Sequence, residues 1–273
     1  MTATPTSAPS RVHFGDLVAA EWIKLLSLRS TVPVLLVGVL LCVADAVQQS
    51  LNTYNAWPTL DASFRAGFDP LHDALNGICV ALVMIGAGTL GALSIVGEHS
   101  SGMIRTTFVV VPARRMVIAA KVAVMTTVTL AAGVVITAAA FLISQAILDG
   151  RGIGVGLGDQ DVLRALAFDA LLPPLCAVVG MGLGSVIRST ALSIVAVCVV
   201  LVVLPASLHQ SVHVWADDAM NTIPYTVWQR MILLGPVPSA AHLPTVAGSW
   251  IVFAAWPLVA ALIALVAVGI RDV

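Results

Sequence analysis

Residues 95–107 read Ile95-Val96-Gly97-Glu98-His99-Ser100-Ser101-Gly102-Met103-Ile104-Arg105-Thr106-Thr107, and the cations Arg114, Arg115 and Lys121 follow shortly after. This polar, basic stretch lies between two long apolar runs, at about 75–97 and 117–148. Charged residues make up only 10% of the chain. Four cations in one short loop of so apolar a protein indicate a cytosolic contact surface on a membrane protein.

The composition of the chain points to the same class of protein. The chain has 273 residues, of which 59% are hydrophobic, and its mean hydropathy is +1.01. A soluble domain of this size would carry about a quarter charged residues. The apolar residues are clustered into separate runs, each near the ~20 residues that cross a bilayer core as a helix. We therefore predict an all-α polytopic membrane protein.

Six apolar runs predict six transmembrane helices in a single transmembrane domain that covers 1–273. We expect the tail at 1–13 to be disordered, because it is rich in Thr, Ser, Ala and Pro. The predicted spans lie at about 32–51, 75–97, 117–148, 165–187, 191–208 and 250–270. The third run is long enough to tilt or to extend beyond the bilayer.

Residues 14–30 precede the first span and are amphipathic. At 100° per residue, Val18 and Trp22 fall on one face of a helix and Asp16 falls on the other. Such a helix lies in the plane of the membrane interface, with its tryptophan at headgroup depth. Pro33 favours a new helix after a bend, because proline is tolerated in a first turn but not further in.

The segment 209–249 is too apolar for a plain loop and too broken for a span. Short re-entrant helices in the outer leaflet, with their non-helical ends buried in protein, would explain this composition. The residues that interrupt it are Pro224, Pro236, Pro238 and Pro244, and its aromatic residues include Trp215 and Trp228.

The distribution of cations predicts the orientation of the chain. With the N-terminus inside, nine cations fall on the cytosolic side and four on the outer side, which agrees with the positive-inside rule. The outer cations are Arg65, Arg151, Arg164 and Arg230. An even number of spans then places both termini in the cytosol of a multi-pass cell-membrane protein.

No residue cluster in the sequence indicates a catalytic, metal or cofactor site. His209 and His213 stand four residues apart, with Asp217 and Asp218 one turn further on, but no third strong ligand is fixed nearby. We interpret them as surface polar residues. The four cysteines fall inside predicted spans without metal or disulfide spacing, which favours packing roles.

Asp45 and Asp169 are the acidic residues within or near the predicted spans. A carboxylate inside a membrane is costly and is a functional candidate by default. A place near the outer interface, reached by water, would equally explain both. Pro173-Pro174 must kink or interrupt the fourth helix just after Asp169, since proline removes a backbone donor.

Two glycine-rich stripes, at 86–92 and 180–185, supply small residues at three- and four-residue spacing. They permit close approach of helices, either within one chain or between two copies. The sequence contains no G-x-x-x-x-G-K-[ST] motif. The chain itself is therefore not expected to hydrolyse ATP through a P-loop.

The chain resembles a permease subunit of the type-2 ABC exporter class, in its actinobacterial branch. The resemblance rests on Glu98-x-x-x-Gly102 with the later Pro112-x-Arg114-Arg115, and on the 20–25 segment Ala-Glu-Trp-Ile-Lys-Leu. It covers essentially the whole chain, from the interfacial helix through six spans to the broken outer segment.

This resemblance implies that the cytosolic loop at 98–116 is a coupling loop that inserts into a groove on a separate ATPase. Expected partners are that ABC ATPase subunit, which carries ATP and Mg, a second copy or homologous permease, and membrane lipids, but no nucleic acid. The cargo would be apolar or amphipathic. The matching coupling residues are Glu98, Ser101, Gly102, Met103, Ile104 and Arg105.

The residues themselves fit that role and leave two other classes open. Gly102 allows a tight turn, Met103 and Ile104 offer an apolar plug, and Arg105 can pair with acidic groups. A membrane-embedded enzyme would need several ionisable residues converging at membrane depth. An ion-coupled secondary transporter usually shows paired repeats with broken helices, and we find no persuasive internal repeat.

Overall fold

The computed structural model describes residues 13–27, 31–75, 78–100, 114–158, 160–209, 219–234 and 244–271. Within these ranges the regular structure is helical and includes no strand. The helices are α1 (Phe14–Ser27), α2 (Thr31–Ala56), α3 (Ala62–Ala66), α4 (Pro70–Leu75), α5 (Ile78–Ser100), α6 (Arg114–Asp149), α7 (Gln160–Ile187), α8 (Thr190–Cys198), α9 (Leu204–His209), α10 (Pro224–Ile232) and α11 (Val246–Arg271).

Six helical segments of the described residues are long and apolar enough to cross a membrane. They are α2, α5, α6, α7, α11 and the helix formed by α8, a π-helical turn (Val199–Val203) and α9. The prediction of an all-α, multi-pass membrane protein is therefore confirmed. Several helices are longer than the predicted apolar runs, because polar residues at their ends continue the helical backbone. Helix α7, for example, begins at Gln160, before the predicted span at 165–187.

The spans alternate in direction, which defines two ends of the bundle. We call one the α10 end, which carries α3, α4, α10 and the turn at 150–158. The other is the α1 end, where α1 packs against the first turns of α6 through Leu17, Val117 and Ala120. Trp22 of α1 remains 39% exposed, as a residue at headgroup depth would be.

Helix α7 forms the centre of the bundle. In its most apolar stretch 72% of the residues are buried, compared with 17% in α2 and in α11. It packs against α5, α6, α10 and α11. The lipid-facing surface is therefore supplied mainly by the outer helices, whose large apolar side chains are exposed as in a bilayer protein.

The two glycine-rich stripes pack against each other where α5 crosses α7. A Cβ on Gly180 would lie 1.9 Å from the carbonyl oxygen of Gly88, and a Cβ on Gly91 would lie 1.9 Å from that of Ala177. Only glycine lets the two backbones approach this closely. Of the two roles open to these stripes, packing within one chain accounts for Gly88, Gly91 and Gly180.

Candidate functional site

Asp169 connects three helices inside the bundle. It lies in the third turn of α7, where its Oδ2 accepts a hydrogen bond of 2.7 Å from the hydroxyl of Thr137 on α6. Its Oδ1 accepts a bond of 3.1 Å from the indole Nε1 of Trp228 on α10. Both donors are neutral, so the hydrogen bonds solvate the carboxylate without neutralising its charge.

The proline pair after Asp169 explains why α6 comes so close. Pro174 has no N–H, so it cannot bond the carbonyl of Ala170 in the usual helical way. Gly133 of α6 packs at this point, where a Cβ would lie 2.4 Å from the Ala170 carbonyl oxygen. Helix α6 therefore touches the backbone of α7, and Thr137, one turn beyond Gly133, reaches Asp169. The prolines do not end the helix, which continues from Gln160 to Ile187.

Asp45 has a different environment. Its Oδ2 accepts a 3.0 Å hydrogen bond from the backbone N–H of Cys79, in the first turn of α5. The first N–H groups of a helix lack intrahelical partners, and the helix dipole favours an anion there. Asp45 therefore acts as a cap that ties α2 to the start of α5.

Two neighbouring cavities open beside these helices. The smaller, of about 20 Å³, is lined by Asp169 and Thr137, by Ala74 and Leu75 of α4, and by the free thiols of Cys42 and Cys79. The larger, of about 230 Å³, is an apolar cleft between α2, α5 and α6. Both cavities share a common wall, formed by Cys42, Val83, Ile136 and Pro173.

Helix α10 is fastened at this end of the bundle by polar contacts beyond Trp228. The guanidinium of Arg164 donates to the carbonyl oxygens of Met231 and Leu233, at 3.4 and 3.0 Å. Asp69 accepts from the backbone N–H of Leu234 at 2.8 Å. The two Arg164 bonds satisfy carbonyls at the end of α10, and the Asp69 bond satisfies a backbone N–H just beyond it, so the α10 end of the bundle is a defined cover.

A buried ion pair joins α1 to α6 at the α1 end. Lys121 Nζ lies 2.5 Å from Glu21 Oε2, and both side chains are more than nine-tenths buried. Lys24 binds the other oxygen of Glu21 at 2.7 Å and is one-third exposed. The sequence predicted Lys121 as one of the cations that flank the cytosolic loop. The structure places its side chain buried against α1, where it is a structural partner of Glu21.

The predicted coupling residues are only partly within the described chain. Glu98 lies in the last turn of α5, and its side chain is not described. Ser101, Gly102, Met103, Ile104 and Arg105 lie outside the described residues, as do His213, Asp217 and Asp218. The parts of the chain that are described hold no group of three or more His, Cys, Asp or Glu side chains able to bind a metal.

Comparisons with known protein families and with curated proteins identify no relative of this chain. No family model matches the chain. No curated protein matches it either. The arrangement of the intramembrane carboxylate, the cavities and the α1 clamp therefore carries the functional reasoning.

Sequence reasoning did not identify Glu21, Thr137 or Trp228 as parts of these arrangements. Glu21 had one usable signal, because a carboxylate and a lysine in apolar surroundings are each costly to bury alone. Glu21 lies in an amphipathic helix and Lys121 lies in an apolar run. Their opposite charges can therefore offset each other's cost of burial. Thr137 and Trp228 had no such signal, since their contact with Asp169 depends on how three helices pack.

Proposed function

We propose that this chain is the membrane-spanning permease subunit of an ATP-binding cassette exporter. It moves an apolar or amphipathic substrate out of the cytosol by alternating access. A separate ABC ATPase subunit hydrolyses the nucleotide, and a second permease copy or a homologous permease completes the pathway. The chain resides in the cell membrane with both termini in the cytosol.

The observation that carries the proposal is the position of the two helices that border the 98–116 segment. Along the chain the segment follows α5, which packs on the central helix α7, and it precedes α6. The first turns of α6 hold α1 through the buried pair of Glu21 and Lys121. A force on this segment would therefore act on the central helix, on the third span and on the interfacial helix together.

The proposed mechanism assigns each loop residue a physical role. Met103 and Ile104 insert as an apolar plug into the ATPase, Arg105 pairs with acidic groups beside it, and Gly102 supplies the turn. Glu98 and Ser101 flank the turn at the end of α5. Closure of the ATPase dimer on ATP pushes the loops and shifts the spans between inward-facing and outward-facing states, which differ in their contacts.

The test is association with an ABC ATPase from the same genome, co-expressed with the chain. A buried apolar side chain is worth about 1.5–3 kcal/mol. Met103→Asp with Ile104→Asp should therefore lower the affinity by orders of magnitude while membrane insertion stays normal. Gly156→Asp with Leu157→Asp is the matched control, because these exposed residues lie at the α10 end. Retention of wild-type affinity by the Met103/Ile104 variant would overturn this assignment and move the coupling role to Arg188, between the fourth and fifth spans.

An ion-coupled secondary transporter is a second candidate, favoured by the intramembrane carboxylate of Asp169. Such a carboxylate can bind a proton or a cation during transport. The two candidates differ in what drives them. Transport in vesicles that needs ATP and the partner ATPase supports the exporter, whereas transport that follows an imposed ion gradient without ATP supports the alternative.

A further inference from the structure

The two intramembrane carboxylates, those of Asp45 and Asp169, differ in their hydrogen-bond partners. Asp45 satisfies a helix N-terminus, so its negative charge has a structural partner. Among the described residues, Asp169 accepts only from Thr137 and Trp228, and no cation of this set forms an ion pair with it. A carboxylate offers about four acceptor positions, so Asp169 keeps capacity for a further donor.

The small cavity has the size of a compact donor group. Its volume of about 20 Å³ is close to the space that one water molecule needs. A primary ammonium group is of similar size and brings three donors. A charge-assisted bond to a carboxylate is about twice as strong as a neutral one, so this chemistry suits a buried carboxylate that lacks a cation.

The large cleft has the complementary, apolar character. It is lined by side chains such as Val34, Leu41, Leu82 and Leu90, and its volume is about 230 Å³. Because Cys42, Val83 and Ile136 line both cavities, one molecule could extend from the carboxylate into the cleft when these side chains rotate.

We propose that the two cavities together bind a small amphipathic amine, with its ammonium group at Asp169 and its apolar body between α2, α5 and α6. This inference rests on the proposed export function and names its substrate class as lipophilic primary amines. The site lies within one chain. Thr137 and Trp228 orient the carboxylate, and Ala74 and Leu75 of α4 close one side of the small cavity.

The experiment measures binding of naphthylmethylamine and of the matching neutral alcohol to the full chain in phosphatidylcholine nanodiscs. Naphthalene fluorescence reports binding above the background of empty nanodiscs. The wild-type chain should prefer the amine over the alcohol by about tenfold or more, which corresponds to about 1.4 kcal/mol. Equal affinity for the amine and the alcohol would overturn the recognition of a cation.

Variants of the two carboxylates locate the ammonium group. Asp169→Asn should abolish the preference for the amine, whereas Asp45→Asn should keep it. The ratio of the two affinities is read only from folded protein, so a loss of stability does not mimic this result. Thr137→Val is a second variant, which removes one donor from Asp169 and should keep or increase the preference. An unchanged preference in Asp169→Asn would overturn the assignment.

Substitution of a glycine that lines the cleft tests where the apolar part of the amine binds. A Cβ on Gly86 or on Gly38 would meet no atom within 4 Å, and both residues line the cleft. Gly86→Leu therefore adds side-chain volume to the cleft from an unhindered Cβ. It should weaken the amine and the alcohol by the same factor, and unchanged affinities would overturn the placement. Phosphatidylethanolamine, whose amine carries a phosphate, should not compete, and competition would replace the small amine by a lipid.

The binding experiment contains no ATPase. If the amine does not bind, the amine site is ruled out, whereas the exporter proposal is still tested by association with the ABC ATPase. Failure of the association test with intact amine binding would instead remove the ABC partner and keep the site.

Discussion

Glu21 is the residue on which the α1 end depends most directly. Its carboxylate lies between Lys121, at 2.5 Å, and Lys24, at 2.7 Å. Removing one member of a buried ion pair leaves a desolvated charge, which costs more than the pair itself gains. The two lysines differ in burial, and this difference makes a matched comparison possible.

We expect Lys121→Met to destabilise the protein by about 3–5 kcal/mol, because it removes the buried partner of Glu21. Lys24→Met should cost about 0–1 kcal/mol, since solvent screens this one-third exposed side chain. Chemical unfolding in detergent micelles measures both values. The double variant Glu21→Gln/Lys121→Met should recover part of the loss. Equal effects of the two lysine substitutions would contradict the assigned role of Lys121.

Asp73 of α4 should destabilise the fold at neutral pH. Burial raises the pKa of its carboxyl above the usual value, while the Thr53 hydroxyl and the nearby His72 act against that shift. The folded state therefore binds the proton more tightly than the unfolded state. The resulting stabilisation is present below the unfolded pKa and is lost as the pH rises through the raised folded pKa.

Asp73→Asn should accordingly stabilise the protein at about pH 7.5 and have little effect at about pH 4. The gain should stay under about 1 kcal/mol, because the carboxylate is only partly buried. The asparagine oxygen can still accept from Thr53. Thermal unfolding in detergent at the two pH values measures the difference.

Asp61→Asn is the control of opposite sign. The backbone N–H of Phe64 and the hydroxyl of Ser63 bond its carboxylate and lower the pKa of Asp61. Its contribution is present above the unfolded pKa and is lost as the pH falls through the lowered folded pKa. A stabilising Asp61→Asn, or a destabilising Asp73→Asn, at neutral pH would contradict these assignments.

At the scale of elements, the crossing of α5 and α7 determines how the central helix is held. Gly180→Val places a side chain on a Cβ position that already lies 1.9 Å from the Gly88 carbonyl oxygen. The helices must separate, so we expect a loss of about 1–3 kcal/mol or more and broader elution in size-exclusion chromatography. Gly86→Val lies on the same glycine-rich stripe but meets open space, and it should change stability little. Equal effects of both substitutions would show that the close crossing does not stabilise the fold.

The helices themselves could be predicted from composition, whereas their contacts could not. Long apolar runs predict spans because a bilayer excludes unpaired backbone groups. The proline pair at 173–174 suggested a possible interruption of the fourth span, yet α7 continues through it. Gly133 packs closely against the backbone at that point. The glycine-rich stripes predicted close approach but not the partner. Trp228 reaches Asp169 across 59 residues, a pairing that only the packed bundle defines.

At the scale of the whole molecule, the bundle has one polar end on each side of six spans. The α1 end carries the clamp of Glu21 and leads into the 98–116 segment. The α10 end carries a cover that is bonded to the central helix through Arg164 and Asp169. The proposed amine site lies next to this cover. An exporter of the proposed orientation would thus receive force at the cytosolic end and release its cargo near the outer one.

The orientation itself can be measured on a single helix. Arg115 lies in the first turn of α6, a helix of 36 residues that ends at Asp149, and Gly156 lies in the turn that follows it. At 1.5 Å per residue the helix is about 54 Å long and exceeds the ~30 Å bilayer core. In a background without the four native cysteines, we expect Gly156→Cys to react with a membrane-impermeant maleimide on intact cells. Arg115→Cys should react only after permeabilisation, because nine of the thirteen cations favour a cytosolic α1 end. Reaction of both from outside would contradict the six-span arrangement, and the reverse pattern would invert the proposed orientation.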